Sequence, residues 1–269
     1  MKLIDVHCHF DKEFFPDIDD VITRMKENNC IALPVGITPD TNKFVLDLRE
    51  KYPESIFPCI GLYPPDALVN DKKENSNLII DYDLENELAF IEKNKDKIVA
   101  IGEIGMDYKD GTDKELQEKI FRKQIELAIK LNLPIVVHSR KAEKECIDIL
   151  EEYTKEHVYR QIVMHCFNGR QAQVRRVREN GWYFSIPTNC VRDTHFQRII
   201  KETPLKQLLT ETDSPFLGPF KKDDGTVERN EPINVIETIK KISEIKNTPV
   251  EDIANLLHRN AIKLFKIEN

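Results

Sequence analysis

Asp5, His7 and His9 stand two residues apart in the run Leu3-Ile4-Asp5-Val6-His7-Cys8-His9-Phe10. That spacing is the period of a β-strand, so it predicts a strand over 3–10 with His7 and His9 on one face, Asp5 beneath them and Cys8 turned away. Two neutral imidazoles on one rigid face make half of a metal site, and the rest of the chain must supply the other half. Four residues of suitable type fall at the ends of other short apolar runs: Glu103, His138, His165 and Asp213. Taken singly they have plain explanations, a hydrogen-bonded structural histidine or a carboxylate that caps a helix. Together they do not, because ionised groups crowded at one place repel or are desolvated, whereas cations neutralise them.

Whether the six meet depends on the elements that carry them. Apolar periodicity predicts helices over 17–29, 41–51, 84–94, 114–131, 143–153, 170–180 and 194–201, with Gly181 as a stop signal. Between them fall strands over 30–37, 56–60, 98–101, 135–138, 161–165, 182–186 and 207–213. Residues 102–108 read as a loop, 70–77 as a polar surface loop, and helices over 232–246 and 249–265 follow the last strand. With the opening strand this makes eight short strands alternating with helices, each strand buried on both faces. The pattern predicts an α/β fold, a single (β/α)8 TIM barrel spanning 1–269 as one domain. An open doubly wound sheet would more often carry a glycine-rich phosphate loop after its first strand, where His-Cys-His stands here. In such barrels the active site forms at the C-terminal ends of the strands, which puts all six residues on one rim.

Composition bounds the setting. The 269 residues are 40% hydrophobic and 32% charged, enough for a sizeable core under a charged surface. No apolar run approaches the roughly 20 residues of a membrane span, and strand pattern begins at once without a signal peptide, so the expectation is a cytoplasmic protein without a membrane partner. The six cysteines are dispersed, with no CxxC, and read as reduced structural residues. A net charge of −7 argues against broad non-specific affinity for nucleic acid while leaving room for a local basic patch. Arg170, Arg175, Arg176 and Arg178 read as a solvated helix face in preference to such a patch.

Six segments, taken in order, resemble the motif series of the TatD-like metal-dependent hydrolases. They are His7-Cys8-His9, Gly102-Glu103-Ile104-Gly105 with Asp107-Tyr108, His138-Ser139-Arg140, His165-Cys166-Phe167 with Gly169, Glu211-Thr212-Asp213-Ser214-Pro215, and Arg229-Asn230-Glu231-Pro232. The resemblance runs from Ile4 to beyond Pro232. It implies a barrel related to the amidohydrolases, whose best-studied relatives of this type are described as metal-dependent deoxyribonucleases. By similarity His7, His9 and Asp213 hold one divalent ion and His138 and His165 a second, with Glu103 bridging and Asp213 also accepting the proton of the attacking water. Asp213 and Glu103 are thus the expected catalytic residues.

Four neutral imidazoles and two carboxylates leave two dications with excess positive charge, which favours an anionic phosphodiester over a neutral amide. The expected reaction is therefore phosphodiester cleavage by a metal-activated water, with nucleic acid, DNA foremost, as substrate and no covalent intermediate. Ser139 and Cys8 lack a base and orienting partner of their own. Ligand type suits Zn, Mn, Ni or Co, and the family's nuclease activity is associated with Mg. A monomer is expected.

Further residues carry weaker readings. Arg140 reads as a phosphate contact or a salt-bridged rim residue, and Asp107 and Asp5 as hydrogen-bond partners of ligand histidines. Asn230, Glu231 and Pro232 read as caps at the start of a helix at least as well as substrate contacts, Trp182 as core, and His157, His195 and His258 as ordinary. One segment departs from the family: where many relatives read Gly-x-His-Pro-His, this chain reads Gly61-Leu62-Tyr63-Pro64-Pro65. A tyrosine gives up a proton near neutral pH far less readily than histidine. Two alternatives therefore stand beside the nuclease: a metal-dependent ester, lactone or amide hydrolase, for example of aminoacyl esters on RNA, and a non-catalytic protein that binds metal or nucleic acid.

Overall fold

Short runs of Ile, Val and Leu alternate with longer amphipathic stretches, and the chain folds on that rhythm. The computed structural model describes residues 1–67, 83–221 and 224–267. The loop expected over 70–77 lies outside the described residues. The first part of the chain forms β1 (Leu3–Cys8), α1 (Ile18–Glu27), β2 (Cys30–Gly36), α2 (Pro39–Lys51) and β3 (Cys59–Ile60). Next come α3 (Leu84–Lys93), β4 (Ala100–Gly105), α4 (Lys114–Leu131), β5 (Ile135–His138), α5 (Glu143–His157) and β6 (Ile162–Met164). The chain continues with α6 (Gln171–Glu179), β7 (Tyr183–Ile186), α7 (Thr194–Glu202), β8 (Leu208–Thr210), α8 (Val235–Lys246) and α9 (Val250–Phe265). The strands lie in sequence order with every neighbour parallel, and the sheet curls into a nearly closed eight-stranded barrel, as the alternation predicted.

Local chemistry starts and stops the helices where the barrel needs them. The Thr38 hydroxyl accepts from the Thr41 amide at the head of α2, with Pro39 in the first turn. Asp83, Asp113 and Asp193 cap α3, α4 and α7 in the same way. After α6 the chain turns through Gly181 at φ +76°, a left-handed conformation that glycine adopts without strain. Alternate strand residues divide the core. Ile4, Val6, Leu33, Val35, Cys59, Ala100, Val136, Val163 and Leu209 pack together with Ala261, Leu264 and Phe265 of α9, filling the barrel, while a larger cluster joins the strands to the helices around them. The cysteines are free, and all but Cys166 are buried. Among the described residues no helix is long and apolar enough to cross a membrane.

The closure between β8 and β1 differs from the ladders elsewhere. Thr210 Oγ1 donates to the Ile4 carbonyl at 2.6 Å, and the buried Asp5 carboxylate accepts from the Thr212 amide at 3.0 Å and the Thr212 hydroxyl at 2.5 Å. Just above, the Asp213 amide donates to the His7 carbonyl at 3.0 Å and the His9 amide to the Ser214 carbonyl at 2.7 Å. A side-chain carboxylate thus does part of what a backbone ladder does in the rest of the sheet.

Strand boundaries correct several expectations. β3 is shorter than 56–60 because Pro58 has no N–H to donate, leaving Ile56 to pair alone with Ala32. β4 continues through the stretch read as a loop, since Ile104 and Gly105 pair with Val137 and His138. β8 ends at Thr210, short of 213, and the first residues of the expected 232–246 helix form a 3-10 turn over Pro232–Asn234.

Candidate metal centre

Six side chains from β1, β4, β5 and the segments just beyond β6 and β8 converge at one end of the barrel. Glu103 projects from within β4, not from a loop after it. His7 lies in β1, His138 ends β5, and His9, His165 and Asp213 sit just past β1, β6 and β8. Gly105 lets β4 approach β5 here: a Cβ on it would fall 2.0 Å from the His138 carbonyl oxygen, and its φ of +144° suits only glycine.

Glu103 divides the cluster in two. Its Oε2 lies 3.5 Å from His7 Nε2 and 3.8 Å from His9 Nε2, and Asp213 Oδ1 stands 3.6 Å and 3.3 Å from the same two nitrogens. Its Oε1 lies 2.7 Å from His138 Nδ1 and 3.7 Å from His165 Nε2. All six expected residues are therefore brought together. The two Nε2 atoms of His7 and His9 face each other at 3.3 Å. The His7 and His165 rings stack with centroids 3.6 Å apart, which disfavours charge on both.

The donor set fits divalent cations. Several lone-pair atoms point at one another across distances too long for good hydrogen bonds, and three triads, His7–His9–Glu103, His7–His165–Asp213 and Glu103–His138–His165, each present their ligand atoms within 4.8 Å. Charge in the cluster is strongly biased. Burial works to raise the Glu103 carboxyl, but His7 and His138 outweigh it and hold the group well below the usual carboxylate range. Burial is likewise overcome at His165, which Glu211 and Glu103 raise to about 10, and at His9, which Asp213 raises. His7 moves the other way, lowered by burial and by its neighbour His165. An anionic field that draws protons onto imidazoles draws dications for the same reason.

Behind the cluster, two carboxylates hold two of the histidines. Asp107 Oδ2 accepts from His138 Nε2 at 2.9 Å, Tyr63 Oη at 2.7 Å and Arg140 Nε at 2.8 Å. Its Oδ1 accepts the amides of Lys109 and Asp110, so Asp107 both orients the imidazole and shapes the turn. Glu211 does the equivalent for His165: Oε2 pairs with Nδ1 at 2.9 Å while Oε1 accepts the Cys166 amide at 3.0 Å. Glu211 carries no role in the sequence reading. Its signs there are its place in the segment Glu211-Thr212-Asp213-Ser214-Pro215 and a charge directly after the strand Leu208–Thr210.

Other secondary expectations change. Asp5 reaches no imidazole; it accepts the His7 amide at 3.1 Å and so holds the main chain. Arg140 is the salt-bridged residue of the two readings, tied to Asp107 and Asp110. Tyr63 Oη lies 3.0 Å from His138 Nε2 and is engaged with Asp107. Asn230 is neither cap nor exposed contact: fully buried, its amide donates to the Thr212 and Phe216 carbonyls and the Thr188 hydroxyl. Arg176 and Arg178 are bound by Glu151, Asp148 and the Glu202 carbonyl.

The chain matches the family model described as TatD related DNase over residues 4–266. It is 35% identical over 271 residues to a human protein named deoxyribonuclease TATDN3, across 98% of this chain and 94% of that one. It is 36% identical over 267 residues to a protein of Methanocaldococcus jannaschii named as an uncharacterized metal-dependent hydrolase, across 99% of this chain and 98% of the other. Among solved structures it is similar to YJJV, a TatD homolog from Escherichia coli, with a TM-score of 0.81 at 25% identity, covering 99% of this chain and 98% of that one.

Proposed function

The chain belongs to the TatD-related family of metal-dependent hydrolases, and on that premise we propose that it is a two-cation phosphodiesterase whose foremost substrate is DNA. His7, His9 and Asp213 would hold one ion and His138 and His165 the other, with Glu103 shared. The observation that carries this reading is the Glu103 carboxylate, one oxygen of which faces the first pair of histidines and the other the second pair. Cations bound there supply Lewis acidity, easing deprotonation of water and neutralising charge on the phosphoryl oxygens.

The protein's own residues do the rest. Asp213 keeps some exposure, 17% of its side chain, against 4% for Glu103, so it is the carboxylate able to meet an entering water and take its proton. Asp107 and Glu211 keep the His138 and His165 rings aimed. Tyr63 stays a neutral phenol, because burial and the neighbouring carboxylates push its hydroxyl far up, and it orients Asp107 without donating to a leaving group.

The test is a substrate panel of single- and double-stranded DNA, RNA, a simple phosphodiester and carboxyl esters, run with Mg²⁺, Mn²⁺, Co²⁺, Ni²⁺ and Zn²⁺ beside metal analysis. The expected result is phosphodiester cleavage with two ions per chain, lost in His138→Ala and Asp213→Ala. Turnover of carboxyl esters alone favours the second reading, an ester, lactone or amide hydrolase, for which the Tyr63 departure speaks. Binding without turnover under every metal favours a non-catalytic protein, and activity surviving both substitutions removes the site assignment.

A further inference from the structure

Among the described residues most large apolar side chains are buried or, like Phe44 and Phe90, packed against the core, and the largely exposed phenylalanines share one location. Among the described residues Phe14, Phe216 and Phe220 are the largely exposed ones, and they lie on the loops that follow β1 and β8. Phe14 is 42% exposed and Phe216 is 51% exposed. Their rings meet edge to face with centroids 5.5 Å apart, and the Phe216 ring lies 6.5 Å from the His9 imidazole. An apolar pair thus stands in water against the first half of the metal cluster.

The backbone under both rings is fixed. The Phe216 amide donates to the Asp213 carbonyl at 2.9 Å, and its carbonyl accepts at 2.8 Å from Asn230, itself wholly buried. The Phe14 carbonyl accepts from Arg229 at 3.1 Å, and that guanidinium sits 4.7 Å from the centre of the Phe15 ring and pairs with Asp17 and Glu231. Exposed phenyl rings contribute little to folding, since the gain comes from removing apolar area from water. A held backbone beneath them lowers the entropy lost when a ligand covers them.

We propose that the Phe216 ring, braced edge to face by Phe14, forms a stacking platform for one nucleobase of the substrate, adjacent to the phosphate that is cut; this rests on the phosphodiesterase reading. A base is joined to its phosphate through a single sugar, so a phosphate at the cluster brings a flat aromatic face to the loops beside it. Stacking on phenyl groups tolerates any base, because every base has a π face and phenylalanine reads no hydrogen-bond pattern. The base it takes must be unstacked from its neighbour on at least one side. Arg229 and Asn230 are positioning residues for this platform.

The experiment compares wild type with Phe216→Ala, Phe14→Ala, Phe216→Leu and Phe216→Trp on oligonucleotides whose base is either present or replaced by hydrogen on each side of the cut. Alanine at 216 is expected to lower kcat/KM about tenfold on the intact substrate, mostly through KM, and by no more than about twofold once the stacked base is gone. Tryptophan restores the loss and leucine, apolar but without a π face, does not. A second readout is the fluorescence of 2-aminopurine in a short single strand bound to the Asp213→Asn protein, expected to be quenched on the Phe216 side and recovered on Phe216→Ala. Unchanged kinetics and unchanged fluorescence in both alanine variants overturn the platform while leaving a phosphodiesterase intact. If the wild type cuts no phosphodiester, that reading fails, and the quench alone decides: lost with Phe216 it upholds the platform, absent throughout it overturns it.

Discussion

On the β5–β6 side of the cluster each imidazole meets a carboxylate at both of its nitrogens, whereas on the β1–β8 side the main chain does the holding. His138 lies between Glu103 and Asp107, and His165 between Glu103 and Glu211. The remote nitrogen of His7, by contrast, is buried without a partner, and that residue is fixed through its amide on Asp5 and its carbonyl on Asp213. The difference assigns two kinds of failure to two sides. Losing a carboxylate behind β5 or β6 frees a ring within an intact barrel, and losing one beneath β1 loosens the barrel itself.

Five substitutions would sharpen or break that contrast. Asp213→Asn is expected to have the largest effect, lowering kcat by about 10²–10⁴-fold, since on the proposed reading it removes both a cation ligand and the proton acceptor while its amide still joins β8 to β1; steady-state kinetics with the melting temperature as control measures it. Asp107→Asn or Glu211→Gln should cost about 10–100-fold in affinity for the second ion only, seen as a shift in one step of a metal titration. A shift of both steps would dissolve the distinction between the sides. Asp5→Asn should leave the metal titration alone and lower stability by about 1–3 kcal/mol in denaturant unfolding, because a buried acceptor with three donors is disturbed. Tyr63→Phe should be the mildest, a loss of about threefold to tenfold in second-ion affinity from one missing hydrogen bond to Asp107.

What the sequence made legible follows the same division. His7 and His9 declare themselves through residue type and the period of two, and His138, His165 and Asp213 through residue type and position at the end of an apolar run. The sequence puts Glu103 on the right rim but in the wrong element, since Gly102-Glu103-Ile104-Gly105 looks like a loop by composition and becomes a strand only through pairing with β5, a tertiary effect. Glu211 lies 46 residues from the histidine it holds and no local pattern joins them. Asp5 reads as a partner of the histidines, yet nothing in β1 alone says that two of its hydrogen bonds come from Thr212. The exposure of Phe14 and Phe216 was equally hidden, because a phenylalanine near a strand end reads as core until the loops around it are known.

The seam between β8 and β1 also sets an order of events. Asp5 and Thr212 are separated by 207 positions in the chain, and contacts of that span form late because the intervening chain must first be organised. During synthesis His7 and His9 leave the ribosome long before Asp213 exists to meet them. On the proposed reading a complete cation site is therefore unavailable to the nascent chain, and acquiring metal becomes a step that reports the barrel has shut.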